Sequence, residues 1–261
     1  MIIPGIGLTI GAISGKLRER LGVRCAPMNQ TQNVAMISGA SRGIGLAIAR
    51  ALLRRGCRLS LGVREPRSVP ADLVLSDDVL VCRYEARDRH AARAFVDETV
   101  AWSGRLDILV NNAGIAPFVG LEDGTDAALD DLFEINVKAP FRLIQAALPH
   151  LKASGKGRVV NVASLSGKRV MGLNAGYQMS KHAMVALTHA VRRLGWDDGI
   201  RATALCPGYV DTDLTAHVTD LAHEAMTSPE DLAELVATVV HLPNTAAIAE
   251  LLVNCRYEHT L

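Results

Sequence analysis

The 261-residue sequence predicts one doubly wound α/β domain, a seven-stranded parallel sheet with helices on both faces. Three observations predict it. From Asn33 onward, short β-branched or leucine-rich runs alternate with longer stretches of helical periodicity, the pattern of repeated βα units. No internal repeat, low-complexity tract or linker divides the chain, and an apolar content of 49% suffices for one substantial core. A glycine-rich turn, SGASRGIG, stands directly between the first strand-like run and the first helical one.

In chain order the first strand is NVAMIS (33–38), followed by the helix GLAIARALLRR. Its apolar residues recur at Ile44 or Leu46, Ile48, Leu52 and Leu53, and Gly56 stops it. The strands RLSLGV (58–63) and VLVCRY (79–84) come next, then a helix over about Arg89 to Trp102. LDILVN (106–111) is the fourth strand, and a long helical pattern covers Leu129 to Leu151. GRVVNVA (157–163) precedes a helix over Tyr177 to Leu194, and IRATALC (200–206) precedes one over Pro229 to His241. AELLVNC (249–255) supplies the seventh strand.

Lysine and arginine total 28 against 27 acids, so no global field draws the chain to nucleic acid or a membrane surface. A small-molecule partner is expected. The five cysteines (25, 57, 82, 206 and 255) are scattered, odd in number and without C-x-x-C spacing, which excludes a disulfide framework and points to a reducing, cytoplasmic setting. The histidines lack ligand spacing, so no metal site is expected. The opening MIIPGIGLTIGAISG has no basic start and is too short to span a bilayer. Residues 1–30 read as a variable extension or a mis-assigned start, and 31–261 as the single dinucleotide-binding catalytic domain.

In a sheet of this class ligands bind beyond the carboxyl ends of the strands, so the segments just after each strand carry the chemistry. After the first strand, Gly39, Gly43 and Gly45 allow a tight turn and close approach to a pyrophosphate, which the N-terminus of the following helix receives. Asn111 to Gly114 (NNAG) follows the fourth strand, Ser164 in VASLSG the fifth, and CPGYVDT the sixth. Between the last two stands YQMSK, with Tyr177 and Lys181 at i and i+4 on one helix face. A cation beside a phenol favours the phenolate and so brings a poor base toward a useful range.

Together these motifs, in this order, resemble the short-chain dehydrogenase/reductase family in its compact single-domain branch, from about Asn33 to Cys255. The resemblance implies a Rossmann fold and a catalytic tetrad of Asn136 (in EINVKAPF), Ser164, Tyr177 and Lys181. Tyr177 would exchange a proton with a carbonyl or alcohol, Ser164 would hold the substrate oxygen, and Lys181 would also hold the cofactor ribose. Asn136 would keep its helix locally open and fix a water leading from Lys181 to solvent. Cofactor contacts carry over to Gly39, Ser41, Arg42, Gly43, Ile44 and Gly45; to Arg64 and Glu85; to Asn112, Ala113 and Gly114; and to Pro207, Gly208, Val210 and Thr212.

The second strand ends at Gly62-Val63 without the acid that binds an NAD ribose; Arg42 and Arg64 are placed instead to clamp a 2'-phosphate, predicting NADP(H). Ile115, Pro117, Leu165, Met171, Tyr209 and a lid over 213–227 are expected around the substrate. The resemblance further implies a homo-tetramer or homo-dimer. Departures are Ser38 for threonine, Ala163 for serine, Glu85 for aspartate, and CRYEHTL in place of a glycine pair after the last strand. Two other functions compete: an NADP(H)-binding sensor or scaffold with little turnover, which need not retain Tyr177 with Lys181, and a sugar-nucleotide epimerase, for whose substrate domain the length leaves no room.

Overall fold

The structure is a computed structural model that describes residues 32–258; the proposed extension over 1–30 and the last three residues of CRYEHTL lie outside the described residues. Seven strands form one sheet in the order β3-β2-β1-β4-β5-β6-β7: Val34–Ser38, Arg58–Val63, Val79–Arg83, Ile108–Asn111, Arg158–Val162, Arg201–Pro207 and Glu250–Val253 for β1 to β7. Every neighbouring pair runs parallel. The order reverses between β1 and β4, and the crevice outside their carboxyl ends is where such a sheet binds ligands.

Strand parity distributes the core. Ala35 and Ile37 of β1, Ile108 and Val110 of β4, and Val160 and Val162 of β5 face α1 (Gly43–Arg54) and the Pro229–Val240 helix. Met36, Leu109 and Val159 face the opposite layer of Ala91–Ser103, Ala139–Ala153 and Ala175–Gly195. Both faces are covered, which is why these strands read as near-continuous apolar runs.

The helical pattern over Leu129 to Leu151 is three pieces: Asp126–Phe133, a π-helical turn over Glu134–Lys138, and Ala139–Ala153. Pro140 explains the break. It has no N–H to offer the carbonyl of Asn136 four residues earlier, so the α register cannot continue there. Short helices at Ala71–Val74, Leu165–Gly167, Asp213–Thr215 and His223–Ala225 were not anticipated, because three or four residues carry too little periodicity to read.

Gly62 shows how closely the second layer packs on the sheet. A Cβ there would overlap the ring of Phe95, which is 1% exposed and cannot retreat. Gly62→Ala is therefore expected to destabilise by roughly 1–3 kcal/mol through overpacking. Phe95→Leu in the same chain should restore part of the loss. A urea-unfolding cycle over the two positions checks this, and additive effects would refute it.

Candidate active site

The segments after β1, β2, β3, β4, β5 and β6 line a single cleft of about 790 Å3 at the carboxyl edge of the sheet. Ser38 organises its floor. Its hydroxyl donates to the carbonyl of Val110 (3.5 Å) and accepts from the N–H groups of Asn112 (3.1 Å) and Ala113 (3.2 Å). Asn112 returns the contact by donating from Nδ2 to the carbonyls of Ser38 (3.1 Å) and Gly39 (2.9 Å). The hydroxyl kept where threonine was expected thus pins the glycine-rich turn to the NNAG segment.

Gly39 adopts φ +70°, and a Cβ there would lie 2.9 Å from the Cα of Ala113. Only glycine fits that crossing. The helix α1 starting at Gly43 has no side-chain cap and no acid in its first turn, so its free N–H groups and positive dipole end point into the cleft uncompensated. A cradle of close backbone, bare helix N–H groups and adjacent arginines fits the diphosphate of a dinucleotide.

Gly39, Ser41, Arg42, Gly43 and Ile44 line the cleft, as do Arg64, Glu85, Asn112, Ala113, Gly114, Pro207, Gly208, Val210 and Thr212. Gly45 does not line it. A Cβ at Gly45 would collide with the Asn112 amide and the Gly39 carbonyl, so this glycine lets the helix close on the turn. Glu85 turns back on its own chain, accepting the Arg87 N–H at 3.2 Å. Arg42 is engaged by Asp213 at 2.7 Å, while Arg64 is exposed at the end of β2.

Ser164, Tyr177 and Lys181 meet at the centre of the cleft. Ser164 caps the short Leu165–Gly167 helix by accepting the Ser166 N–H (3.0 Å), and it lines the cleft together with Tyr177. Asn174 orients Tyr177: its Oδ1 accepts the N–H groups of Tyr177 (3.3 Å) and Val119 (3.0 Å), and its Nδ2 donates to the Pro117 carbonyl (2.9 Å). Asn174 escaped the sequence reading, although an asparagine just before a helical pattern is a capping signal. Pro117 turns its carbonyl to Asn174 and is not among the lining residues, whereas Ile115, Leu165, Met171 and Tyr209 are.

Lys181 is 8% exposed, donates to the carbonyl of Val162 (2.9 Å) and sits 5.6 Å from the Tyr177 ring centroid. Burial pulls its ammonium down to about 8. Burial also pushes the Tyr177 phenol up, opposed by the nearby Ser164 hydroxyl. Among the protein's own groups, burial is the largest influence on the phenol.

Asn136 does not line the cleft; it lies 2% exposed behind it. From the π turn its Nδ2 donates to the Ile115 carbonyl and its Oδ1 accepts the Ile115 N–H, both at 2.9 Å, and Nδ2 reaches the Ser180 hydroxyl at 3.2 Å. It ties the post-β4 loop to the Tyr177 helix.

At the far end of the cleft the chain terminus folds back. Arg169 and Glu258 form a bidentate pair, 2.6 and 2.7 Å, and Cys255 and Arg256 join the lining. His217, Val218 and Asp220 of the segment after β6 line it too. These three fall in the 213–227 stretch expected around the substrate, whereas the Arg169–Glu258 pairing was not foreseen, because pairing between residues 89 apart leaves no local pattern.

Residues 33–222 match the family described as short chain dehydrogenase. The chain belongs to that family. Among its relatives, an agropine synthesis reductase of Rhizobium rhizogenes is 39% identical over 227 residues, 86% of this chain and 53% of the relative. This short-chain dehydrogenase therefore spans about half the length of that relative. A dehydrogenase/reductase SDR family member 4 of Caenorhabditis elegans is 30% identical over 220 residues, covering 82% and 85% of the two chains. Among solved structures, an alcohol dehydrogenase of the archaeon Thermococcus sibiricus, complexed with 5-hydroxy-NADP, superposes with a TM-score of 0.79 at 29% identity, covering 87% of this chain and 98% of its own. No described helix of this family member is long and apolar enough to cross a membrane.

Proposed function

We propose that this oxidoreductase interconverts a carbonyl and an alcohol with NADP(H), using Ser164, Tyr177 and Lys181 as catalytic residues and Asn136 as their positioning residue. The observation that carries the reading is the convergence of a phenol, a hydroxyl and a buried ammonium in the cleft that begins at the glycine-rich turn. The nicotinamide, when bound, supplies or accepts the hydride. Tyr177, which burial keeps protonated, gives its phenolic proton to the carbonyl oxygen as the alcohol forms. Ser164 donates to the same oxygen and stabilises the negative charge growing there. Lys181 holds its charge beside the phenol and stabilises the phenolate left when the proton departs, which regains a proton from solvent before the next turnover.

Arg42 and Arg64 favour NADP(H) over NAD(H), since no acid stands at the end of β2 to repel a 2'-phosphate. The solved relative with bound 5-hydroxy-NADP agrees with this preference. The mixed lining of Ile115, Leu165, Met171 and Tyr209 suits a small or medium, largely neutral ketone or aldehyde. We further propose a homo-oligomer in the cytoplasm.

The test is absorbance at 340 nm with a panel of ketones, aldehydes and quinones, run with NADPH and NADH. Turnover at least about tenfold more efficient with NADPH is expected, the size of one lost charged contact. Equal efficiency with the two nucleotides would defeat the cofactor assignment. Tight NADPH binding without turnover of any panel member would favour a nucleotide sensor.

A further inference from the structure

The segment after β6 closes over the glycine-rich turn at two points. Thr212 sits so that a Cβ on Gly43 would lie 3.2 Å from its Cγ2. One residue on, the carboxylate of Asp213 accepts a hydrogen bond from Arg42 at 2.7 Å. Asp213 opens a short helix capped reciprocally by Thr212 and Thr215, so its place is held by the segment's own hydrogen bonds as well as by Arg42. Arg42 and Asp213 both line the cleft. A carboxylate is thus seated on one of the two guanidinium groups assigned above to the 2'-phosphate.

We propose that Asp213 is a cofactor-discriminating residue: an internal anion that holds Arg42 until the 2'-phosphate of NADP(H) displaces it. The inference rests on the NADP(H) reading given above. The exchange is favourable because both side chains are well exposed, 69% and 71%, and an exposed pair is weak. The incoming phosphate carries more charge and three acceptor oxygens, which a guanidinium grips better than one carboxylate oxygen. The other charges at this end do not replace Asp213: Glu85 faces Arg87, and Arg87 is itself paired with Asp131 at 2.7 Å. Two consequences follow. Asp213 lowers affinity for NADPH selectively, since NADH has no 2'-phosphate to compete with it. Displacement also removes the ion pair that fastens the segment after β6 to the glycine-rich turn, so the phosphorylated cofactor alone loosens that segment.

The experiment is calorimetric titration of NADPH and of NADH into the wild type, Asp213→Asn, Arg42→Ala and the double variant. Asp213→Asn is expected to tighten NADPH by about twofold to fivefold, the range of an exposed ion pair, and to leave NADH unchanged. Arg42→Ala should weaken NADPH by about tenfold or more, and Asp213→Asn should then add nothing in the double variant. If Arg42→Ala weakens NADPH while Asp213→Asn leaves it unchanged, or tightens both nucleotides alike, the discriminating role falls and the NADP(H) reading stands. If Arg42→Ala changes neither affinity, the reading of Arg42 as the phosphate ligand falls, and the inference with it.

Discussion

Tyr177→Phe is expected to lower kcat for carbonyl reduction by about 10²- to 10⁴-fold, the usual contribution of a positioned acid, while NADPH affinity stays within about twofold. The substitution removes one oxygen and keeps the ring. That ring is half-buried near Lys181, with its backbone N–H held by Asn174, so its place survives the change. What disappears is the phenolic proton donor in the cleft that Ser164 also lines. Ser164 cannot take over, because an alkanol hydroxyl is a far weaker acid than a phenol: it can share a hydrogen bond with the substrate oxygen but cannot release its proton to it. Single-turnover rates beside nucleotide titration separate the two effects. A variant retaining more than about a tenth of the activity would mean that the proton comes from another source.

The parallel sheet was legible because its central strands β1, β4 and β5 are buried throughout and read as compact apolar runs; β1, β2 and β5 fall within a residue of their expected ends. The central site was legible because its motifs, taken together and in order, resemble the short-chain dehydrogenase/reductase family; strand ends and one helix face then explain how Ser164 and Tyr177 come to line one cleft. Two kinds of feature were not. Long-range pairing such as Arg169 with Glu258 depends on where the chain terminus folds, which no local period encodes. The balance of desolvation against charge at Tyr177 depends on the enclosure of the site, and sequence spacing supplies only the charge. Asn136 lies between these cases. Its place in EINVKAP announced a special helix position, but the physical signal was Pro140, four residues on, whose missing N–H opens the π turn.

Lys181→Met should make the protein more stable at neutral pH and nearly inactive. In the folded chain burial depresses the ammonium from 10.5 to about 8, so the unfolded state binds the proton more tightly. The folded protein therefore carries a penalty that is fully present below about pH 8 and is relieved as pH rises from about 8 to 10.5. Methionine fills much the same volume without a charge to desolvate. Against that gain stands the lost hydrogen bond to the Val162 carbonyl, worth about 1 kcal/mol. The net expectation is a stabilisation of roughly 1–3 kcal/mol at pH 7, or a few degrees in Tm, that shrinks as pH rises through the same window. Calorimetric scans of both proteins at pH 7 and pH 10 read the difference directly. A less stable variant at pH 7 would show that the Val162 contact outweighs desolvation. A gap that stays constant with pH would show that the lysine titrates alike in both states. A stabilised but inactive protein would identify Lys181 as a group kept in an unfavourable place for its effect on Tyr177, since no contribution to folding would remain to explain it.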